Sequence, residues 1–150
     1  MSTLFIGVDP GKSGAIAFLD EALGERWFIK GDSTDHDLAE AVADASSQYD
    51  RVFAVVERVS SSPQMGVKSA FTFGESFGKV QMVLAALKVP YELVSPSKWQ
   101  GEMKCRTKGD KNVTKREAQR LFPDVKITHA NADALLLAEY ARRMREGVAA

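Results

Sequence analysis

Cysteine is almost absent from this chain. Cys105 is the only one in 150 residues, which excludes an internal disulfide and a cysteine-based zinc cluster. It lies in the polar stretch MKCRTKG with no obvious histidine partner, the setting of an incidental thiol rather than a catalytic one. Long apolar runs are missing too. None approaches the roughly 18 residues a helix needs to span a bilayer, so no membrane partner is expected. The N-terminus reads MSTLFIGVDPG, without a basic region ahead of a signal-like apolar core, and the expected location is a cytoplasm. There is no internal repeat, no low-complexity tract and no sign of a second domain, so residues 1–150 are expected to form one domain. Net charge is also missing: the formal sum is zero, which argues against a generic nucleic-acid binder.

What is present is an uneven distribution of that charge. Lys98, Lys104, Arg106, Lys108, Lys111, Lys115, Arg116 and Arg120 fall within one segment, against only Glu102, Asp110 and Glu117. A local basic patch on an otherwise acidic protein is what a phosphate backbone met at one face requires. The alternative is a solvated loop and helix face.

The hydrophobic pattern predicts β-strands at 3–9, 14–19 and 26–30, joined by the tight connections GKSG and DEALGE, hence an antiparallel meander. A helix follows over 34–47, with Thr34 and Asp37 making a capping-box-like start and Leu38, Val42 and Ala45 on one face. The run RVFAVVE, 51–57, is almost wholly apolar, as in a strand buried on both faces. One long helix is expected over 64–88 and a short strand over 91–94. Residues 95–112 contain Pro96, Gly101 and Gly109 and read as a flexible basic loop. Thr114 and Glu117 fit a capping box for a helix stopping at Pro123. A last helix is expected from about His129 to Arg145, with Arg142, Arg143 and Arg145 suiting its C-terminal dipole. The result is an α/β fold. Three strands in meander plus two parallel strands form a mixed five-stranded sheet, with helices on both faces.

Three carboxylates stand out. Asp9 ends an apolar strand at the Gly-rich turn DPGKSG, and Glu57 ends the next fully apolar strand. An unpaired charge at a buried strand end is costly. If the two strands are parallel neighbours, both carboxylates emerge side by side at the carboxyl edge of the sheet, where open α/β sheets bind ligands. The bland alternative is that each caps a turn or pairs with Lys12 or Arg58. Asp133 lies in HANADALLLAEYA, an apolar helical segment where an acid is a poor core residue and a plausible ligand for a hard cation. His129, four residues earlier, is expected on the same helix face, with Asn131 pointing elsewhere. His129 is also readable as a plain helix-start residue. Three carboxylates with few other ligands suit Mg²⁺ or Mn²⁺ rather than zinc. Two such ions about 4 Å apart can activate a water and stabilise the leaving oxygen of a phosphodiester.

The segments IGVDPGKSG, VVERV and HANADALLLAEYA occur in the order and context of the RuvC-like Holliday junction resolvases. The segments KSAFTFGESFG, VSPSKWQ and TKREAQRLFP also resemble that family, especially its phage-type members, and the resemblance spans roughly residues 4–142. It implies the ribonuclease-H-like fold, which the predicted element order also fits. It further implies a homodimeric, structure-selective endonuclease with two metal ions per site, which cuts branched DNA in recombination and repair and leaves 5′-phosphate and 3′-hydroxyl ends. Asp9, Glu57 and Asp133 would be its catalytic metal ligands. The family's fourth ligand has no Asp counterpart just before Asp133. His129 is the nearest fit, at a spacing of four rather than the expected three, and either binds the second ion, or positions or protonates a group, or does neither. Expected DNA contacts are Lys12, Ser13, Lys79, Lys98, Lys104, Arg106, Lys108, Lys111 and Lys115.

The 64–88 helix is apolar on more than one face: Ala70, Phe73, Phe77 and Leu84 on one, Val67, Phe71 and Met82 nearer another. Gly74 and Gly78, one turn apart, permit close helix approach. The helix is therefore either a buried core helix or one that packs on its own sheet and on a partner. Phe71 or Phe73 are core residues or reach unpaired bases at a branch point. Trp99, beside Lys98, stacks on a ligand or anchors its loop. Two other classes of function bear comparison with the sequence. IGVDPGKSGA also resembles the first phosphate motif of the actin and sugar-kinase group, whose members need a second, related half. A non-catalytic DNA-binding module of the same fold would have no need for all three carboxylates.

Overall fold

The computed structural model describes residues 2–22 and 24–149, with side chains to residue 145. Leu23, in the predicted DEALGE connection, lies outside the described residues. The elements are β1 (Thr3–Asp9), β2 (Ala15–Asp20), β3 (Arg26–Lys30), α1 (Asp35–Ser47), β4 (Arg51–Glu57), α2 (Val67–Ala86), β5 (Tyr91–Val94), α3 (Pro96–Glu102), α4 (Asn112–Leu121) and α5 (Ala132–Ala149). They form one five-stranded sheet in the order β3-β2-β1-β4-β5. β1, β2 and β3 pair antiparallel as the predicted meander, and β4 and β5 add on in parallel beside β1.

The strand alternation explains the two cores. Leu4, Ile6 and Val8 of β1, with Ala54 and Val56 of β4, face Leu38 and Val42 of α1 and Val80 and Leu84 of α2. Phe5 of β1 and Val55 of β4 face the other way, onto Leu135, Leu136 and Ala138 of α5, with Trp99 and Ala118 alongside. Helices therefore cover both faces, and β1 and β4 are apolar throughout because neither face is wet.

Several local expectations are corrected. Residues 95–112 are not a continuous loop. Ser95 caps α3 by accepting from the Lys98 N–H at 3.2 Å, and Pro96 occupies the first turn, where its missing N–H costs nothing. Thr114 does not cap α4, which begins at Asn112 instead, after Asp110 accepts from the Asn112 N–H at 2.9 Å. α2 starts at Val67 rather than 64, because residues 62–65 close a separate turn. α5 begins at Ala132, so His129 lies in the turn before the helix rather than on it. Because α5 continues to Ala149, Arg142 and Arg143 are not in its last turn. They pair with Glu139 one turn back, and Arg145 lies over the Phe53 ring.

Candidate active site

Asp9 and Glu57 are the last residues of adjacent parallel strands, one step beyond the paired Val8 and Val56. Val8 and Val56 face α1 and α2, so the next residue on each strand faces α5. Asp133 arrives there because α5 lies directly on β1. A Cβ on Gly7 would come within 2.1 Å of the Ala134 carbonyl oxygen, and Ala134 follows Asp133 in the first turn of the helix. Gly14 performs a similar service on the opposite side. A Cβ there would lie 2.1 Å from the Asp9 carbonyl oxygen and 3.0 Å from its carboxyl carbon, so only glycine leaves room for the chain to double back past Asp9. The three predicted carboxylates are thus brought to one sheet edge, each half-buried.

The entry to α5 is fixed locally. Asn131, fully buried, accepts from the Thr128 N–H at 2.8 Å and donates to the Lys126 carbonyl at 3.0 Å, and its own N–H donates to the Thr128 hydroxyl at 3.3 Å. This reciprocal arrangement is a capping box with Asn in the acidic position. Asn131 therefore sets the start of the helix that carries Asp133, a role not foreseen from its expected place off the face of Asp133. His129 is exposed in the same turn, yet near enough to Asp133 to favour its charged form.

The electrostatics are those of crowded, desolvated acids. Burial pushes the Asp9 carboxyl well above its usual range. Glu57 and Asp133 push it further, and the Lys111 ammonium pulls it back. Burial raises Glu57 to about 6, opposed by a hydrogen bond from Trp99, whose indole Nε1 donates to Glu57 Oε2 at 2.7 Å. Burial also raises Asp133, against a hydrogen bond from the buried Thr114 hydroxyl and the charges of Lys111 and His129. Cys105, also buried, has its thiol pushed up to about 11, which leaves no thiolate for chemistry.

Among the described residues, no group of three or more His, Cys, Asp and Glu side chains is gathered closely enough to hold a metal ion as it stands. The donor chemistry of Asp9, Glu57 and Asp133 nonetheless fits a hard divalent cation. All the donors are carboxylate oxygens, and burial and mutual repulsion disfavour their charges until a cation offsets them.

The predicted DNA-contacting residues fall in four places. Lys111 stands beside the carboxylates. Lys98, Lys104, Arg106 and Lys108 are exposed along α3 and the loop after it, and Lys115 is half-buried on α4. Lys12 and Ser13 are exposed in the β1–β2 turn, across a groove of about 510 Å³ from Lys68, Ser69 and Thr72 of α2. Lys79 is held by Asp35 of α1 at 2.8 Å. Trp99, Thr114, Lys68, Ser69 and Thr72 were not foreseen in these places. The pair Ser95-Pro96 signalled α3. Thr114 and Ala118, four apart and both buried, signalled an inward face of α4. Ser69, Thr72 and Ser76 at helical spacing signalled a hydroxyl-bearing face of α2.

No family model matches the chain, and no curated protein matches it. Solved structures do. The RuvC of Thermus thermophilus matches with a TM-score of 0.58 over 97% of both chains, at 16% identity. The T. thermophilus RuvC in complex with Holliday junction substrate matches with a TM-score of 0.63 over 96% of both chains, at 15% identity. The likeness establishes the fold: this chain has the ribonuclease-H-like fold of RuvC, as its element order predicted, over nearly its whole length.

Proposed function

We propose that the chain is a metal-dependent endonuclease that hydrolyses DNA phosphodiesters at Holliday junctions or related branched structures. The observation that carries this reading is the placement of Asp9, Glu57 and Asp133, from β1, β4 and α5, at one edge of the sheet, where Glu57 and Asp133 both disfavour the charge of Asp9. A stable fold has no use for that arrangement, since each carboxyl pays desolvation. The fold shared with a RuvC solved on a Holliday junction supports the choice of substrate.

Asp9, Glu57 and Asp133 would hold Mg²⁺ or Mn²⁺, and exposed His129, in the turn before α5, is the candidate fourth ligand. The ions would supply activation of water and neutralisation of charge on the leaving oxygen. The chain's own groups do the rest. Lys111 adds a positive charge beside the carboxylates, favouring approach of a phosphate. The exposed Lys98, Lys104, Arg106 and Lys108 meet the backbone of one duplex arm. The hydroxyl-lined groove between Lys12 and Lys68 accepts a strand beside Asp9. Water adds to phosphorus and the 3′-oxygen departs with a proton, leaving 5′-phosphate and 3′-hydroxyl ends. A homodimer, joined through the exposed face of α2, would set two such sites on the two strands of a four-way junction.

The test pairs cleavage in Mg²⁺ with binding in Ca²⁺ or EDTA, on labelled junction, flap, fork and linear duplex DNA. Asp9→Asn, Glu57→Gln and Asp133→Asn are expected to lose cleavage by at least about 10³-fold while keeping junction binding. Near-normal cleavage by Asp9→Asn or Glu57→Gln would sink the nuclease reading. Circular dichroism separates either result from misfolding.

A further inference from the structure

Trp99 is the largest fully buried side chain among the described residues, and its one polar atom is spent on the carboxylate at the end of β4. A buried indole N–H needs an acceptor, and any backbone carbonyl in the core would serve. Here the acceptor is Glu57 Oε2, at 2.7 Å. From the indole's side this is satisfaction of a donor. From the side of Glu57 it is more, because the terminal torsion of a glutamate is broad and a hydrogen bond that anchors one oxygen narrows the orientations open to the other.

The indole is well placed to impose that plane. Glu57 pairs with Val94 at the last step of the β4–β5 ladder, and the Arg58 N–H donates to the Val94 carbonyl at 2.8 Å. The chain turns at Ser95 directly into α3, so Trp99 is tied to the strand end beside the residue it holds. Its ring is fully buried in the same core cluster as Val94, Met103 and Cys105, where close packing restrains it.

We infer that Trp99 is a positioning residue, which acts through Glu57 by orienting its carboxylate for the divalent cation. The inference rests on the nuclease reading above. Partners that hold a ligating carboxylate in this way typically account for about 10- to 100-fold in metal affinity or activity.

The test begins from Trp27→Phe, which leaves Trp99 as the only tryptophan. Trp27 stacks on Phe18 at the far edge of the sheet, and phenylalanine retains a ring there. Mn²⁺ affinity is read by electron paramagnetic resonance, which needs neither DNA nor turnover. It is measured in Trp27→Phe alone, with Trp99→Phe, with Glu57→Gln, and with both. Trp99→Phe should weaken Mn²⁺ binding about 10-fold when Glu57 is intact. It should weaken it by less than about 2-fold once Glu57→Gln is present, because the two residues act as a unit. Mg²⁺ added to Trp27→Phe should shift the Trp99 emission with a saturable dependence. Equal losses in both backgrounds would overturn the proposal, as would Trp99 emission indifferent to bound metal. If Trp99→Phe fails to fold, the emission measurement, made with Trp99 in place, decides alone. Absence of Mn²⁺ binding in Trp27→Phe itself would overturn the nuclease reading, and the positioning role with it.

Discussion

Gly7 and Ala134 touch backbone to backbone: a Cβ at position 7 would lie 2.1 Å from the Ala134 carbonyl oxygen and 2.3 Å from the Ala138 nitrogen. Neither atom can yield without moving α5 as a body. Gly7→Ala is therefore expected to cost about 1–3 kcal/mol or more through overpacking. That corresponds to a fall in Tm of roughly 2–4 °C per kcal/mol for a chain of this size. Because Asp133 precedes Ala134, the same displacement should withdraw it from Asp9. Cleavage should drop at least about 10-fold even at temperatures where melting curves show the variant folded. An unchanged melting curve would contradict the close packing.

The buried acids give stability a pH dependence of definite sign. Glu57 is raised from 4.5 to about 6, so the folded state binds its proton more tightly than the unfolded chain does. Below the unfolded value this costs nothing. As pH rises through the folded value, the charge is forced onto a desolvated site, and up to about 2 kcal/mol is lost. Asp9 and Asp133 shift in the same direction, whereas Asp35, Asp50 and Asp124 shift downward, so the difference between two proteins is the cleaner readout. In EDTA, Glu57→Gln should melt higher than the parent at pH 7.5 and level with it near pH 4.5. Saturating Mg²⁺ should stabilise the parent more than the variant. A variant less stable than the parent at pH 7.5 in EDTA would mean that Glu57 is not held against its own charge.

Much of this arrangement was legible in the sequence, and what was missed has a common cause. The strand ends at Asp9 and Glu57 could be read because a carboxylate after an unbroken apolar run is conspicuous against strand periodicity. Thr34 could be read because its cap is a local bond, accepting from the Asp37 N–H at 3.1 Å. Trp99 and Thr114 could not be placed, since what defines each is a contact with a residue remote in sequence. Pro96 and Gly101 read as loop punctuation, although proline in a first turn is compatible with a helix. Spacing alone sets His129 on the helix, but Thr128 caps its start and the Ala132 N–H makes the first ladder bond, to the Thr128 carbonyl at 3.0 Å, so His129 stands in the turn before α5.

The basic segment makes a prediction about salt rather than chemistry. Lys104 and Lys108 are exposed and both stand at positive φ, 55° and 48°. They follow α3 in a loop leading to Lys111, which faces the carboxylates. If both side chains meet duplex phosphates, each should contribute about 0.9 to the slope of log affinity against log salt. Lys104→Gln with Lys108→Gln should flatten that slope by nearly two units, measured in Ca²⁺ so that no strand is cut. An unchanged slope would return these lysines to solvent.

The outer face of α2 is the place to test for a second copy of the chain. Val67, Phe71 and Met82 are 89%, 71% and 68% exposed, and Gly74 and Gly78 lie between them at helical spacing. A Cβ on either glycine would meet nothing within 4 Å. Beside Gly78 and Met82, an apolar cleft of about 400 Å³ opens between α1 and α2. Exposed apolar side chains around two glycines are what a closely crossing helix from another molecule would bury. The environment of Gly78 makes the test discriminating. At Gly78 the first side-chain carbon meets nothing and an open cleft lies beside it, and in a helix interior leucine is favoured over glycine by about 0.8 kcal/mol. The isolated fold should therefore melt no lower than the parent at high dilution. In a dimer joined through this face, the same leucine would wedge the helices apart, with overpacking of about 1–3 kcal/mol for each copy. Sedimentation at micromolar concentration should show the parent as a dimer and Gly78→Leu shifted toward monomer. Phe71→Glu should do the same by placing charge in the contact. Cleavage of the two strands of a junction should become uncoupled in both variants, with nicked product accumulating. A parent protein that sediments as a monomer, with and without junction DNA, would remove the dimer from the proposal.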